Sequence, residues 1–240
     1  MMLRAVFFDL DGTLLPMEEN QFTEIYFGLL YQYVKDLGYQ KDELISVIWE
    51  GTKAMYKNDG RMSNCDAFWK YFEEHYGYER LVDKEIFDRF YVTDFEKSKS
   101  VCEVNPQAQE IVSFAKENLD YVVLSTNPIF PLNGTLMRMS FVGLQKEDFS
   151  FITAYENSKF TKPNPKYFLD LLEKFSLKPE EVILFGNNDI EDYYCAQMAG
   201  IDCYLVGKHL ILHPDKHINC PIIQMEDVID VIKKEIEERK

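Results

Sequence analysis

Two aspartates lie close together directly after an apolar segment near the N-terminus. Residues 3–9 form a short apolar run that ends in Asp9, and Asp11 follows two residues later, before Gly12. An apolar run of this length is typical of a strand that is buried on both faces of a parallel sheet. Paired carboxylates can bind magnesium, and one of them can act as a nucleophile while the other transfers protons. The alternative is a solvated Asp-Gly turn.

Three later segments carry polar groups that suit the same chemistry. The hydroxyl of Thr126 and the N–H groups that follow it can bind a phosphoryl oxygen. Lys162, in a Lys-Pro-Asn-Pro sequence, can neutralise phosphate and carboxylate charge, and the segment 186–192 offers acidic and amide oxygens to a metal ion. Each segment also has a purely structural interpretation, namely a turn or helix cap, a surface lysine, and a helix N-terminus capped by an Asn or Asp.

These polar segments follow, or lie beside, predicted strands. From Asn105 onward, short apolar runs alternate with helical segments, which predicts β-α-β units and a parallel sheet. Ligands of such sheets bind beyond the carboxyl ends of the strands, where the four polar segments would meet. We therefore predict an α/β fold with a Rossmann-like parallel sheet. The predicted strands are residues 3–9, 121–126, 151–154, 181–185 and 201–206, and the predicted helices are residues 106–118, 165–175, 192–199 and 226–239.

A long segment of different character separates the first predicted strand from the alternating part. Residues 18–98 are rich in Tyr, Phe, Glu and Lys, and their apolar residues recur at helical spacing. This spacing predicts four or five helices and no strong strand. The simplest topology is an α-helical cap domain of residues 17–98 inserted into a Rossmann-like catalytic core of residues 1–16 and 99–240.

In this order, the four segments resemble the motifs of the haloacid dehalogenase (HAD) superfamily. The resemblance covers nearly the whole chain, with a helical insert where that family places its first type of cap. It implies that Asp9 is the nucleophile and that Asp11 is the general acid and base, whose backbone carbonyl also binds magnesium. It also implies that Thr126 supplies the hydroxyl of the second motif, Lys162 the lysine of the third, and Asp192 the last carboxylate of the fourth.

The fourth motif departs from the family pattern at one position. The family usually has Gly-Asp there, and that Asp binds magnesium directly, whereas this sequence has Gly186-Asn187. An amide oxygen can still ligate the ion, but the site loses one negative charge. The resemblance implies Mg²⁺ as the cofactor, held by Asp9, Asp11, Asn187 and Asp192, with the substrate bound by Thr126, Asn127 and Lys162.

The activity that the resemblance implies is magnesium-dependent hydrolysis of a small phosphorylated metabolite through an aspartyl-phosphate intermediate. A dehalogenase is disfavoured because its reaction has no leaving alkoxide for Asp11 to protonate. A phosphomutase shares all four motifs and stays open. A non-catalytic phosphate- or metal-binding regulatory module is the alternative from a different class, and Asn187 is the feature that favours it.

Composition and charge restrict the partners. The 240 residues carry a formal net charge of −15, which disfavours nucleic acid and anionic membrane surfaces. No uncharged apolar run approaches the length of a membrane span, and the N-terminal apolar stretch contains two aspartates, unlike a signal peptide. Five scattered cysteines are typical of a reducing compartment, so we expect a cytoplasmic protein. The sequence carries no signal for its oligomeric state.

Overall fold

The computed structural model describes residues 2–216 and 219–239 and contains a six-stranded sheet. Its strands are β1 (Ala5–Phe8), β2 (Tyr121–Leu124), β3 (Phe151–Ile152), β4 (Val182–Gly186), β5 (Asp202–Val206) and β6 (Ile222–Ile223). The strand order is β3-β2-β1-β4-β5-β6, and each neighbouring pair runs parallel. The predicted α/β fold with a parallel sheet is confirmed.

The two middle strands, β1 and β4, are apolar because both faces of the sheet are covered. Every residue of these strands is buried. Successive side chains of a strand point to opposite faces. Val6 and Phe8 of β1 therefore pack into one hydrophobic core, and Ala5 and Phe7 pack into the other.

Four of the five α-helices between β1 and β2 lie in one helical segment. Together with three short 3-10 segments they fill the chain from Glu19 to Val101, and we call residues 18–101 the helical insert. Its interior is aromatic, with Tyr39, Phe72 and Phe87 in mutual ring contact. The helices are α1 (Glu19–Val34), α2 (Lys41–Tyr56), α3 (Asn64–Tyr76), α4 (Lys84–Phe90), α5 (Ala108–Asn118), α6 (Leu132–Ser140), α7 (Lys166–Phe175), α8 (Cys195–Met198) and α9 (Val228–Glu238).

The two chain segments that join the helical insert to the sheet lie side by side. Met17 and Cys102 form an antiparallel bridge, and the Glu103 N–H donates to the Pro16 carbonyl at 2.8 Å. The Asn105 side chain also donates to the Leu14 carbonyl at 2.9 Å. The insert thus leaves and re-enters the sheet at one place. Its status as a separate domain with the predicted boundaries stays a prediction.

Two elements were not predicted from the sequence, α6 and the two-residue strand β6. The helix predicted over 192–199 begins differently from expectation, because a π-helical turn at Asp189–Tyr194 precedes the short α8. No helix within the described parts of the chain is long and apolar enough to cross a membrane.

Candidate active site

The carboxyl ends of three neighbouring strands bring the predicted site residues together. Phe8, the last residue of β1, pairs with Leu124 of β2 and with Phe185 of β4. The residues that directly follow these positions therefore leave the sheet at one level. All seven predicted site residues line a single cavity of about 660 Å³ between the sheet and the helical insert, namely Asp9, Asp11, Thr126, Asn127, Lys162, Asn187 and Asp192.

Lys162 is the buried centre of this site. Its side chain is 1% exposed, which excludes the surface-lysine interpretation. The ammonium lies 2.8 Å from Asp9 Oδ1 and 2.5 Å from Asp192 Oδ1. A buried ammonium is tolerated only where charges compensate it, and here two carboxylates do so.

The same contacts shift the pKa values of both partners. Burial raises the pKa of the Asp9 carboxyl to about 8, although the charge of Lys162 opposes this shift. Burial lowers the pKa of Lys162, but the charges of Asp192 and Asp9 outweigh it and leave that pKa well above its usual value. The lysine is therefore a fixed cation, and any further cation beside Asp9 would favour its ionised form.

The end of β2 supplies a hydroxyl and an amide to the same cavity. Thr126 is 2% exposed, and its carbonyl accepts hydrogen bonds from Thr153 Oγ1 at 2.7 Å and from the Tyr167 hydroxyl at 3.0 Å. The Asn127 amide oxygen accepts from the Lys162 N–H at 3.2 Å. These hydrogen bonds connect the end of β2 to the loop that carries Lys162, so that the polar groups of both segments face the same cavity.

The loop after β4 is organised around Asp192. Asp192 Oδ2 accepts the backbone N–H groups of Asn187 and Asn188 at 2.9 and 3.0 Å, while its other oxygen contacts Lys162. This approach requires Gly186, because a Cβ there would lie 2.3 Å from Asp192 Cγ. Asp192 therefore shapes the loop and also bears a charge at the site.

The side chains of Asn188 and Asp189 form hydrogen bonds that stabilise this loop. The Asn188 side chain caps the following turn by accepting the N–H groups of Ile190 and Glu191 at 2.9 and 3.0 Å. Both oxygens of Asp189 contact His213, one at the backbone N–H and one at Nδ1. The capping alternative proposed from the sequence therefore holds for Asn188.

Sequence reasoning missed Arg138. This residue of α6 is 2% exposed, and its Nη1 lies 2.5 Å from Asp11 Oδ2. Its guanidinium also donates to Thr135 Oγ1 at 3.3 Å and lies over the Phe130 ring. The signal was available, because Arg138 is the only charged residue between Thr126 and Lys146. It was overlooked because α6 itself was not predicted.

Asp11 is held by this arginine with one oxygen still free. Among the residues that the structure describes, none forms a hydrogen bond with Asp11 Oδ1, although the atom is buried. Burial raises the pKa of the Asp11 carboxyl, and the charge of Arg138 opposes that shift. A carboxyl with a raised pKa and a free oxygen beside a cavity can exchange a proton with a bound molecule.

A second overlooked group bridges the helical insert to the sheet. The Tyr56 hydroxyl of α2 donates to Glu191 Oε1 at 3.2 Å, and Asn127 Nδ2 donates to Glu191 Oε2 at 2.9 Å. Burial raises the pKa of Glu191 to about 7. The sequence analysis included Glu191 only within the segment 186–192, as one of several possible oxygen donors to a metal ion.

The oxygen atoms at the strand ends fit a hard divalent cation. Asp9 and Asp192 supply carboxylates, and Asn187 supplies an amide whose Nδ2 donates to the His209 carbonyl at 2.8 Å. This bond leaves the amide oxygen as the free end of Asn187. Oxygen donors of this kind suit magnesium. Within residues 2–216 and 219–239, no three His, Cys, Asp or Glu side chains converge as a metal cluster, so an amide and a backbone carbonyl would have to complete the set.

Comparison with known proteins identifies relatives along most of the chain. Residues 3–200 match the family model described as haloacid dehalogenase-like hydrolase. A phosphoglycolate phosphatase of Photorhabdus laumondii subsp. laumondii is 24% identical over 238 residues, covering 96% of this chain and 92% of that protein. A glyceraldehyde 3-phosphate phosphatase of Pyrococcus furiosus is 30% identical over 99 residues, which cover 38% of this chain and 40% of that protein.

The architecture also matches solved structures. The crystal structure of a 2-haloacid dehalogenase from Pseudomonas syringae pv. Tomato DC3000 superimposes with a TM-score of 0.65 at 19% identity. The match covers 97% of this chain and 99% of that one. At this identity the likeness shows a common fold and leaves the reaction to be argued from the site.

Proposed function

This chain belongs to the haloacid dehalogenase-like hydrolase family, and from that premise we propose that it is a magnesium-dependent phosphatase. Its substrate would be a small phosphorylated metabolite, cleaved through an aspartyl-phosphate on Asp9. The phosphatases among its relatives support this reaction class. Asp11 supports it over dehalogenation, since only the departure of an alkoxide calls for an acid at that position.

The observation that carries the proposal is the position of Lys162 between Asp9 and Asp192. A buried cation beside a candidate nucleophile stabilises negative charge as it builds up on a transferring phosphoryl group. Burying the lysine in this way does not stabilise the fold, because a buried ion pair gains little stability over apolar packing. A purely structural lysine would have little reason to line a cavity that also presents a hydroxyl, an amide and a free carboxyl oxygen.

The proposed first step transfers the phosphoryl group to the enzyme. An Asp9 oxygen attacks phosphorus in line, the ester P–O bond breaks, and Asp11 gives its proton to the departing oxygen. Lys162 and Thr126 hold the phosphoryl oxygens during this transfer. Arg138 keeps the Asp11 carboxyl in place through Oδ2, so that Oδ1 is the oxygen that meets the substrate.

The second step returns the enzyme to its starting state. The Asp11 carboxylate takes a proton from a water molecule, and the water oxygen attacks phosphorus. The P–O bond to Asp9 breaks, inorganic phosphate leaves, and Asp11 is again protonated. Its raised pKa suits a group that must carry the proton in one half of the cycle and accept it in the other.

Magnesium would be held by Asp9, the backbone carbonyl of Asp11, Asn187 and Asp192. When bound, it neutralises charge on the phosphoryl group. We further propose that residues 17–98, which make up most of the helical insert, are a cap domain over the core of residues 1–16 and 99–240. It would exclude water and select the substrate. The bridge from Tyr56 to Glu191 and Asn127 supports this role, because it joins the insert to the site.

Hydrolysis of para-nitrophenyl phosphate is the first experiment. We expect release of nitrophenolate in the presence of magnesium and loss of at least about 99% of the rate in excess EDTA, since the phosphoryl charge would then be poorly neutralised. Restored activity after magnesium is added back controls for inactivation. Absence of hydrolysis at saturating magnesium, or full activity in EDTA, would contradict the proposal.

Asn187 is expected to set the magnesium requirement. In Asn187→Asp the added charge should lower the magnesium concentration for half-maximal activity by about tenfold, and Asn187→Ala should raise it by a similar factor. Without magnesium, Asn187→Asp should also lower the free energy of unfolding by about 1–3 kcal/mol, because the hydrogen bond to the His209 carbonyl is lost.

Asn188→Asp provides the matched control for this prediction. It adds the same charge one residue away, at a cap position where Asp and Asn are equivalent. We expect a much smaller effect on the magnesium requirement than that of Asn187→Asp. Equal effects of the two variants in a magnesium titration would show that Asn187 is no ligand.

A further inference from the structure

The cavity above the proposed phosphoryl site is large and mainly aromatic. Its volume of about 660 Å³ is that of sites for ligands well beyond the size of a two-carbon acid. Among the residues that the structure describes, eleven Phe, Tyr and Trp side chains line it, most of them from the helical insert. They include Tyr26, Phe27, Trp49, Phe68, Trp69 and Phe130.

The polar atoms of several of these aromatic residues already form hydrogen bonds within the protein. The Tyr26 and Tyr91 hydroxyls lie 2.9 Å apart and bond to each other. Trp69 Nε1 donates to the Tyr155 hydroxyl at 3.3 Å. These pairs leave the rings, rather than the polar atoms, to contact a bound molecule, and ring surfaces favour flat apolar groups.

The ionisable side chains that line the cavity are mainly acidic. Three of its described lining residues are Lys or Arg, whereas seven are Asp or Glu, including Glu18, Glu19 and Asp88 on the insert side. Burial together with the neighbouring charges of Asp11 and Glu18 raises the pKa of Glu19. A second negative charge on a substrate would meet this acidic lining.

The two buried cations are not free for such a second charge, because the phosphoryl group itself would engage Lys162 and Asp11 engages Arg138. Lys162 is held by two carboxylates, and Arg138 by Asp11, Thr135 and the Phe130 ring. Lys208 lies at the edge with a side chain that is 66% exposed, and it pairs with Glu103. A substrate carboxylate would have to displace Asp11 from Arg138 or remain unpaired in a buried site, and either is costly.

We propose that the substrate is a phosphate monoester whose remaining part is a flat, uncharged aromatic group. This inference rests on the proposed function and adds the substrate class to it. The phosphoryl group lies at Asp9, Lys162 and Thr126, and the ring lies among the aromatic side chains of the helical insert. Esters that carry a carboxylate or a second phosphate are rejected by the acidic lining.

Two esters of equal ring size provide the test. Phenyl phosphate and 4-carboxyphenyl phosphate differ by one carboxylate. This carboxylate makes the phenolate of the second ester a slightly better leaving group, so leaving-group chemistry alone would favour that ester. We expect kcat/KM of the wild-type protein with magnesium to be at least about tenfold lower for the carboxylated ester. A ratio below tenfold, or a preference for the carboxylated ester, would overturn the inference.

Thr52 allows the charge of the cavity to be changed directly. It lines the cavity from α2, and its hydroxyl donates to the Ile48 carbonyl of the same helix at 2.9 Å. Thr52→Lys adds a cation, and Thr52→Met adds a neutral chain of similar reach. We expect Thr52→Lys to shift the ratio of kcat/KM toward 4-carboxyphenyl phosphate by at least about fivefold relative to Thr52→Met. Equal ratios for the two variants would overturn the role of the acidic lining.

The proposed function and this inference fail in distinguishable ways. If none of these esters is hydrolysed with magnesium, the phosphatase proposal fails and the substrate class fails with it. If phenyl phosphate is hydrolysed but the carboxylated ester is hydrolysed as well or better, the phosphatase proposal stands and the substrate class alone is wrong.

Discussion

Asp9→Asn is expected to lower kcat for phosphate ester hydrolysis by at least about 10³-fold, because the variant lacks the attacking oxygen of the proposed nucleophile. The fold should survive. Lys162 keeps Asp192 at 2.5 Å, and the change removes a carboxyl whose pKa burial raises to about 8, so little stability depends on its charge. We expect the melting temperature to change by less than about 5 °C.

Asp189→Asn is the matched control for this change. Asp189 is also a buried aspartate at the carboxyl edge of the sheet, but it contacts His213 and does not line the cavity. We expect its kcat to stay within about fivefold of the wild type. Comparable losses in both variants, measured on folded protein, would show that Asp9 has no special role.

Lys162→Met is expected to affect both activity and stability. The variant preserves side-chain volume but leaves Asp9 and Asp192 buried beside each other without their shared cation. Loss of one partner of a buried ion pair costs about 3–5 kcal/mol, which urea denaturation in EDTA can measure. The rate should fall by at least about 10²-fold, as for other groups that stabilise transition-state charge.

The double variant Lys162→Met/Asp192→Asn separates the two effects. An amide at 192 can still accept the loop N–H groups with its oxygen and can turn its nitrogen toward Asp9. We expect it to recover about 2 kcal/mol of stability relative to Lys162→Met while activity stays low. Recovery of activity to within a few-fold of the wild type would mean that Lys162 only balances the charge of Asp192.

The sequence predicted the sheet well because its signals are local. The apolar runs before Asp9 and Gly186 become β1 and β4, whose burial on both faces explains their lack of alternation. Helices α5, α7 and α9 were predicted within a few residues, since each buries one face. Two elements were not predicted. Strand β6 has only two residues, and α6 begins after Pro131 in a segment without a clear helical periodicity.

The sequence predicted the site residues that follow the strands, but it did not predict the side chains that contact them. Parallel strands end at one edge, so the chain positions of Asp9, Thr126 and Asn187 were enough to bring them together. The contacts of Arg138 with Asp11, and of Glu191 with Tyr56, join residues more than 100 positions apart. Such contacts depend on how the helical insert and α6 pack against the sheet, and a local sequence pattern does not predict this packing. For the same reason the cavity's acidic aromatic lining emerged only from the structure.

The most direct test of the central claim is to locate the phosphoryl group on the protein during turnover. Wild-type protein with magnesium and phenyl phosphate is quenched in acid within the first turnover, digested, and analysed by mass spectrometry. We expect an added phosphoryl group on the peptide that contains Asp9, and none in Asp9→Asn. A phosphoryl group on another residue, or rapid hydrolysis by Asp9→Asn, would contradict the assignment of Asp9 as nucleophile.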